Sequence, residues 1–399
     1  MDLVAETFDL KNLDKSGWQT FRFDQLAQRI SEPVDPSTTD LDIYVGLEHL
    51  DSESIHIRRF GSPSDVKGGK LKCYPGDIIF GKRRAYQRKA AIANFEGICS
   101  AHAFVLRAIP EVLDPQLFPF FLHSDVFMHR AVDISVGGLS PTINWKHLRE
   151  QEFLLPPKDQ QAKITELLWA MDEVVEKEFE LMNNVQRTYQ TLIDNCFSTR
   201  LKESWTFQEL SQIATINRQS LKNTCNPDYT FKYLDIAGII EPKIMGPLES
   251  MKFKNAPSRA RRITADNSII LSMVRPYHKS FVFLENPKDI IASTGTSVIE
   301  VNGNHIPRFV FHQFFSSRFM RFCEDRMTGT NYPAITPKDL AQFGLMLPPG
   351  IDTELALANQ FEDFDISTKN TRSKIKQSKV LLKSLIEQLF SIHQQTEIK

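Results

Sequence analysis

The hydrophobic pattern of this chain alternates between two periods. Short β-branched and aromatic runs come first, at residues 43–47, 77–80 and 103–106, punctuated by Gly, Pro and Asn. Such runs predict strands, and residues 116–132 add a helical stretch to them. From 159 to 199 the chain has neither Pro nor Gly, so the stretch can be one helix. Its apolar positions fall at Ile164, Leu168, Met171, Val175, Met182, Val185, Tyr189, Leu192 and Cys196. Spacings of four and three alternate, with Glu178 the single polar break, and that is a coiled-coil seam. The sequence then repeats itself in kind. Runs at 231–235, 268–272 and 297–301 and a helical stretch at 309–327 precede a second seam of Leu357, Phe361, Phe364, Ile375, Leu382, Leu385, Leu389 and Ile392. Thr368, Thr371 and Ser378 take seam positions in its middle and should weaken it there.

The repeat is also visible residue by residue. WQTFRFDQL (18–26) returns as WTFQEL (205–210), and DIIFGKRRAYQRK (77–89) as SIILSMVRPYHKS (268–280). GLSPTI (138–143) aligns with TNYPAI (330–335), and both copies carry Leu-Pro-Pro, at 155–157 and 347–349. Leu192, Ile193 and Asp194 fall on Leu385, Ile386 and Glu387. Collinear matches at a nearly constant offset mark two diverged copies of one unit. The expected fold class is therefore α+β: two mixed, strand-rich domains at 1–157 and 205–349, with helices at 158–204 and 350–399. An antiparallel pairing of those helices would give a stiff spacer of roughly 60 Å at ~1.5 Å per residue, and a pseudo-two-fold axis across it.

Composition narrows the class of function. No segment has the run of uncharged apolar residues that a spanning helix needs, and the acidic N-terminal segment (MDLVAETFDLKNLDK) does not read as a signal peptide. Five scattered cysteines, none in a CxxC pair, read as idle thiols of a cytoplasmic protein. GDIIFGKR (76–83) nearly matches a phosphate-binding loop, but Arg83 replaces the magnesium-binding hydroxyl and the four intervening residues look like a strand. No GxGxxG follows a strand, no HExxH occurs, and no Asn/Asp-Pro-Pro-Tyr/Phe methylating motif is present. No local motif supports catalysis, a cofactor or a metal in this chain.

A formal net charge of −1 offers no global basic field for nucleic acid. The charge is unevenly placed, however. Lys82, Arg83, Arg84, Arg88 and Lys89 crowd around Tyr86, and Arg259, Arg261, Arg262, Arg275, Tyr277, His278 and Lys279 flank the corresponding strand of the second copy. Residues 205–349 carry a cationic excess, whereas 1–157 and 158–204 carry an acidic one. Basic turns at equivalent places suit duplex DNA, where cations neutralise phosphates and Arg forks read guanine edges. Ser140 and Thr142 in one polar loop, and Thr330 and Asn331 in the other, are further candidate contacts. A solvated surface, or a protein-binding coiled-coil scaffold, would carry the same turns without affinity for DNA.

With these pieces in hand, the chain resembles the specificity subunit of a type I restriction–modification enzyme. The resemblance rests on LLPPKDQQAKITELLWAMDEVV (154–175), GDIIFGKRRAYQRKAAI (76–92) and GGLSPTI (137–143), and runs from about Trp18 to Ile392. It implies that each globular domain is a target-recognition domain reading half of a bipartite, asymmetric DNA site, and that the helices set the gap between halves. It also implies two methyltransferase subunits carrying S-adenosylmethionine, and a restriction/translocase subunit using ATP and magnesium. This chain would then supply specificity and no catalysis. Another methylation-based defence system remains the alternative home. The second copy departs from the family pattern: its helix opens PPGIDTELALANQF (348–361), without the usual Pro-Pro-x-x-Glu/Asp-Gln-Gln.

Overall fold

A computed structural model describes residues 15–198, 204–240 and 242–390. Two compact units emerge: one takes the described residues of Met1–Phe179 and Ser373–Lys399, the other Glu180–Arg372. Both are built the same way, as the internal repeat requires.

In the first unit a four-stranded antiparallel sheet has the order Ala27–Ile30, Ala103–Ala108, Ile78–Gly81, Ala90–Ile92. Side chains alternate across it. Ile78, Phe80, Phe104 and Leu106 join the larger apolar cluster, whereas Ile79, Ala91 and Val105 join a smaller one on the opposite face. The second unit repeats this with Ala214–Ile216, Thr296–Val301, Ser268–Ser272 and Phe281–Leu284. There Ile269 and Leu271 face one cluster, and Ile270, Val282 and Val298 the other. A second four-stranded sheet also shares its core. Lys70–Cys73, Gly97–Cys99 and Tyr44–Val45 pair in the same order and sense as Ala260–Ile263, Ile290–Ser293 and Thr230–Leu234. The edges differ: Pro33–Val34 borders the first, and Ser250–Lys252 the second.

Two expectations need correction. Residues 116–132 and 309–327 are not single helices. Each breaks in two, into Phe118–His123 with Asp125–Asp133 and Pro307–Gln313 with Ser317–Glu324. The breaks fall at Ser124 and Ser316, whose backbones are extended and whose hydroxyls accept from the N–H groups of Phe127 and Phe319. A serine that caps the next helix competes with continuing the previous one. Within the near-match to a phosphate loop, Ile78–Gly81 is a buried strand, and the Asp77 carboxylate holds Arg107 at 2.7 Å.

The long helices are Lys158–Cys196 and Ile351–Phe390. Every predicted seam position that is described is buried or half-buried, while Ile392 lies outside the described residues. In the first unit the start of the first helix (Ile164, Leu168) and the end of the second (Leu385, Ile386, Leu389, Phe390) enter one core. In the second unit the end of the first helix (Ile193, Cys196) meets the start of the second (Ala358, Phe361). Start against end, in both units, is an antiparallel pair. Thr371 is buried at the weak middle of the seam, its hydroxyl turned back to the Ser367 carbonyl at 2.9 Å.

Polar pins fix both ends of the helices. Gln161 accepts from Asp114 N at 2.7 Å and donates to the carbonyls of Val112 and Pro156 at 2.8 and 2.9 Å. In the second copy, whose opening lacks the glutamine pair, Glu354 takes this place. It accepts from Ile306 N and meets His305 Nδ1, both at 2.8 Å. At the other ends, Glu387 accepts from Asp125 N at 2.9 Å, and Asp194 from Ser317 N at 2.7 Å. Each carboxylate thus satisfies the opening N–H of a short helix, where a negative charge is favoured.

Candidate nucleic-acid interface

The basic turn of the first unit follows strand Ile78–Gly81. One turn of 3-10 helix, Ala85–Gln87, is bounded by Arg84 and Arg88, both left-handed with φ of 57° and 52°. The second unit builds the same device: Pro276–His278 lies between Arg275 and Lys279, with φ of 48° and 50°. A left-handed non-glycine residue costs on the order of 1 kcal/mol, so four of them require fixed partners. For Arg84 and Arg275 those partners come from the polar loops. Arg84 N donates to Pro141 O at 2.7 Å and Ile143 N to Lys82 O at 2.9 Å; Arg275 N donates to Pro333 O at 2.7 Å and Ile335 N to Met273 O at 3.0 Å. Turn and loop therefore form one clasped element in each unit, and sequence reasoning had kept them apart.

Within the first clasp, Arg84 donates from Nε and Nη2 to Ser140 Oγ at 3.2 and 3.1 Å, joined by Arg83 Nη2 at 3.3 Å. The Thr142 hydroxyl turns to Ser140 O at 3.1 Å. Lys82 lies over the Phe104 ring, and burial, with Arg29 nearby, holds its pKa below the usual lysine range. Arg88 is drawn inward, to Asp125 Oδ1 at 2.6 Å and the His123 carbonyl at 2.5 Å. Lys89 donates to Leu47 O at 2.6 Å. Tyr86 stands exposed.

In the second clasp, Arg275 Nη2 donates to Asn331 O at 2.7 Å, and its guanidinium covers the Tyr332 ring at 4.8 Å. Tyr277 and His278 are exposed, with ring centroids 4.7 Å apart, as are Thr330 and Asn331. Lys279 turns to Gln190 Oε1 at 3.1 Å. Arg259, Arg261 and Arg262 lie elsewhere, at strand Ala260–Ile263 of the other sheet: Arg261 covers Phe253, Arg262 reaches Ser220, and Arg259 is exposed. The structure thus brings Arg84 together with Ser140, and Arg275 with Asn331, but does not bring the Arg259–Arg262 cluster to the Arg275 clasp.

Sequence reasoning missed three sets of residues. Leu139 and Tyr332 stand out at the loop tips, 97% and 71% exposed. Gln161 and Glu354 were legible only as a family motif and a departure from it. The third set is His56, Asp172 and Glu176, whose donor atoms lie within 4.8 Å of one another. His56 already meets Asp172 at 2.7 Å and Arg58 pairs with Glu176, so these groups satisfy each other without a metal. The cysteines form no disulfide; Cys225 is half-buried and the other four are buried. Among the described residues no helix is long and apolar enough to cross a membrane.

The site is thus a duplicated α+β unit with two heptad helices and a clasped cationic turn in each copy. Residues 53–187 match the family model described as the type I restriction modification DNA specificity domain, and the chain is similar to specificity subunits of type I restriction enzymes. The type I restriction enzyme EcoDI specificity subunit of Escherichia coli is 26% identical over 199 residues, 48% of this chain and 44% of that protein. The chain thus aligns with less than half the length of that relative. The putative type I restriction enzyme MjaX specificity subunit of Methanocaldococcus jannaschii is 21% identical over 351 residues, covering 80% of this chain and 79% of that one. Two solved structures share the fold. One comes from work on complex assembly and conformational transition of the type I R-M system, with a TM-score of 0.58 at 17% identity, covering 94% of this chain and 98% of that one. The other is a type I restriction–modification S subunit from M. genitalium, with a TM-score of 0.51 at 14% identity, covering 94% and 96%.

Proposed function

We propose that this chain reads a bipartite DNA site for a type I restriction–modification complex, one half-site per unit. The observation that carries the proposal is the clasp itself. Two diverged copies retain the same strained turn, opened by an arginine, closed by a second cation and tied to a polar loop, although most residues around it differ. Strain that persists in duplicate is more economically explained by a ligand than by packing. Lys82, Arg83, Arg84, Tyr86, Ser140 and Thr142 would face one half-site, and Arg275, Tyr277, His278, Thr330 and Asn331 the other. Arg88, Lys89 and Lys279, held by internal partners, would support the turns from beneath. Arg259 and Arg261 would contact flanking phosphates.

Catalysis would reside in partners. Two methyltransferase subunits would supply S-adenosylmethionine, and a restriction/translocase subunit ATP and magnesium; this chain would hold no cofactor. Exposed Val174, Leu181, Ile366, Val380 and Leu381 on the long helices support subunit docking there. The test is co-expression with type I methyltransferase subunits, followed by mapping of methylated adenines. A split motif is expected, with one half altered by Arg84→Ala and the other by Arg275→Ala. Methylation at a continuous motif, or a pattern unchanged by both variants, would remove this reading and leave a coiled-coil scaffold as the better account.

A further inference from the structure

We infer that Leu139 and Tyr332 are the base-reading tips of the two loops, and that Arg84 and Arg275 beneath them are positioning residues. This rests on the DNA-reading proposal above and assigns its specificity to different side chains from those the sequence singles out.

The arginines point to it first. A guanine in the major groove is read by a free guanidinium fork. The Nε–Nη2 edge of Arg84 faces Ser140 Oγ, and Arg275 gives Nη2 to Asn331 O while its face covers Tyr332. Both guanidiniums hold the residue that precedes the loop proline, Ser140 before Pro141 and Tyr332 before Pro333.

The tips supply the second observation. A single exposed apolar residue needs no explanation. Here Leu139 lies two residues after Gly137, whose φ is 119°, and Tyr332 three residues after Gly329, whose φ is 98°. Each loop is closed across its base, by Val136–Thr142 pairing in the first and Thr328–Ala334 in the second. Tips that protrude from closed, clasped loops beside cations are preorganised to enter a groove.

Chemistry then separates the two. Leucine offers no hydrogen bond, so the base feature it can select is the 5-methyl group of thymine. Tyr332 presents an aromatic face, stiffened by the guanidinium stacked on it.

The test uses the full chain assembled with its methyltransferase subunits. Replacing each thymine of the first unit's half-site by uracil deletes only a methyl group. At one position this should weaken binding about four-fold, the scale of one buried methyl. Leu139→Ala should abolish that difference and relax methylation of that half-site alone, with the other half as the internal control for folding. Tyr332→Ala should relax only the second half-site, and Tyr332→Phe should restore it. Arg84→Lys keeps the charge and the backbone clasp but loses the two guanidinium bonds to Ser140 Oγ. It should relax the first half-site with an unchanged salt dependence of binding, whereas a phosphate-contacting arginine would tolerate lysine. A first half-site without thymine, full tolerance of uracil, or an intact half-site in Leu139→Ala overturns the tip assignment while DNA reading stands. No sequence preference in the wild-type complex overturns the DNA reading itself.

Discussion

The two units solve the same structural problems with different chemistry. Where a long helix leaves its globular domain, the first unit uses a buried amide, Gln161, which accepts once and donates to two carbonyls. The second uses a buried carboxylate, Glu354, facing two donors. Near the middle of the first helix His56 meets Asp172. Asp365, 193 residues on, has Lys243 nearby instead, whose pKa is lowered by burial and by Arg372 and Lys369. The clasp arginine rests on a serine hydroxyl in one copy and a tyrosine ring in the other. Duplication has preserved what each position must satisfy, and the residue type has followed from the donors and acceptors that happen to face it.

Exchanging the pins should break this comparison most visibly. Gln161→Glu would leave the Val112 and Pro156 carbonyls facing a group that cannot donate, at a cost of about 3 kcal/mol. Glu354→Gln keeps an acceptor for Ile306 N and should cost only about 1 kcal/mol. Denaturant unfolding followed with a probe in each unit would show it; equal losses would mean that the pins are not specific to their partners.

Acid should act next most strongly, and on both units. Burial pulls the pKa of His312 down to about 3 and that of His123 down to about 4. In each case the fold prefers the neutral ring, so its stabilising contribution is complete above the unfolded value near 6.5 and declines as pH falls below it. At pH 5 each histidine should cost about 2 kcal/mol. His312→Asn should flatten the pH dependence of the second unit and leave that of the first. A melting temperature independent of pH between 7 and 5 would contradict both burials.

The smallest effect sharpens the weak middle of the seam. Thr371→Val exchanges a buried hydroxyl for a methyl group and should stabilise by less than about 1 kcal/mol, read as a small rise in denaturant midpoint. Destabilisation instead would mean that the bond to Ser367 O matters more than apolar packing.

Legibility followed the same division. Strands such as Ile78–Gly81 and both helical seams were readable because burial imposes a period on them. The split of each helical stretch was not, since Ser124 and Ser316 act through a local cap that hydrophobic spacing cannot register. In the candidate site, the cationic turns were visible as charge. Their clasp to the loops was not, because Arg84 and Pro141 are joined through backbone groups that every residue possesses. The inward partners of Arg88 were not visible either, because nothing local announces that Asp125 and the His123 carbonyl meet its guanidinium.

The first unit has a discontinuous core, closed by Leu385, Ile386, Leu389 and Phe390. During synthesis those side chains leave the ribosome only after Glu180–Arg372 has been made, on the order of 10–40 s later at typical elongation rates. Until then the apolar flank formed by Ile164, Leu168 and Phe121 lacks its cover. The domain translated first is therefore the one finished last, and the nascent chain carries a sticky, half-built surface throughout the making of its sibling.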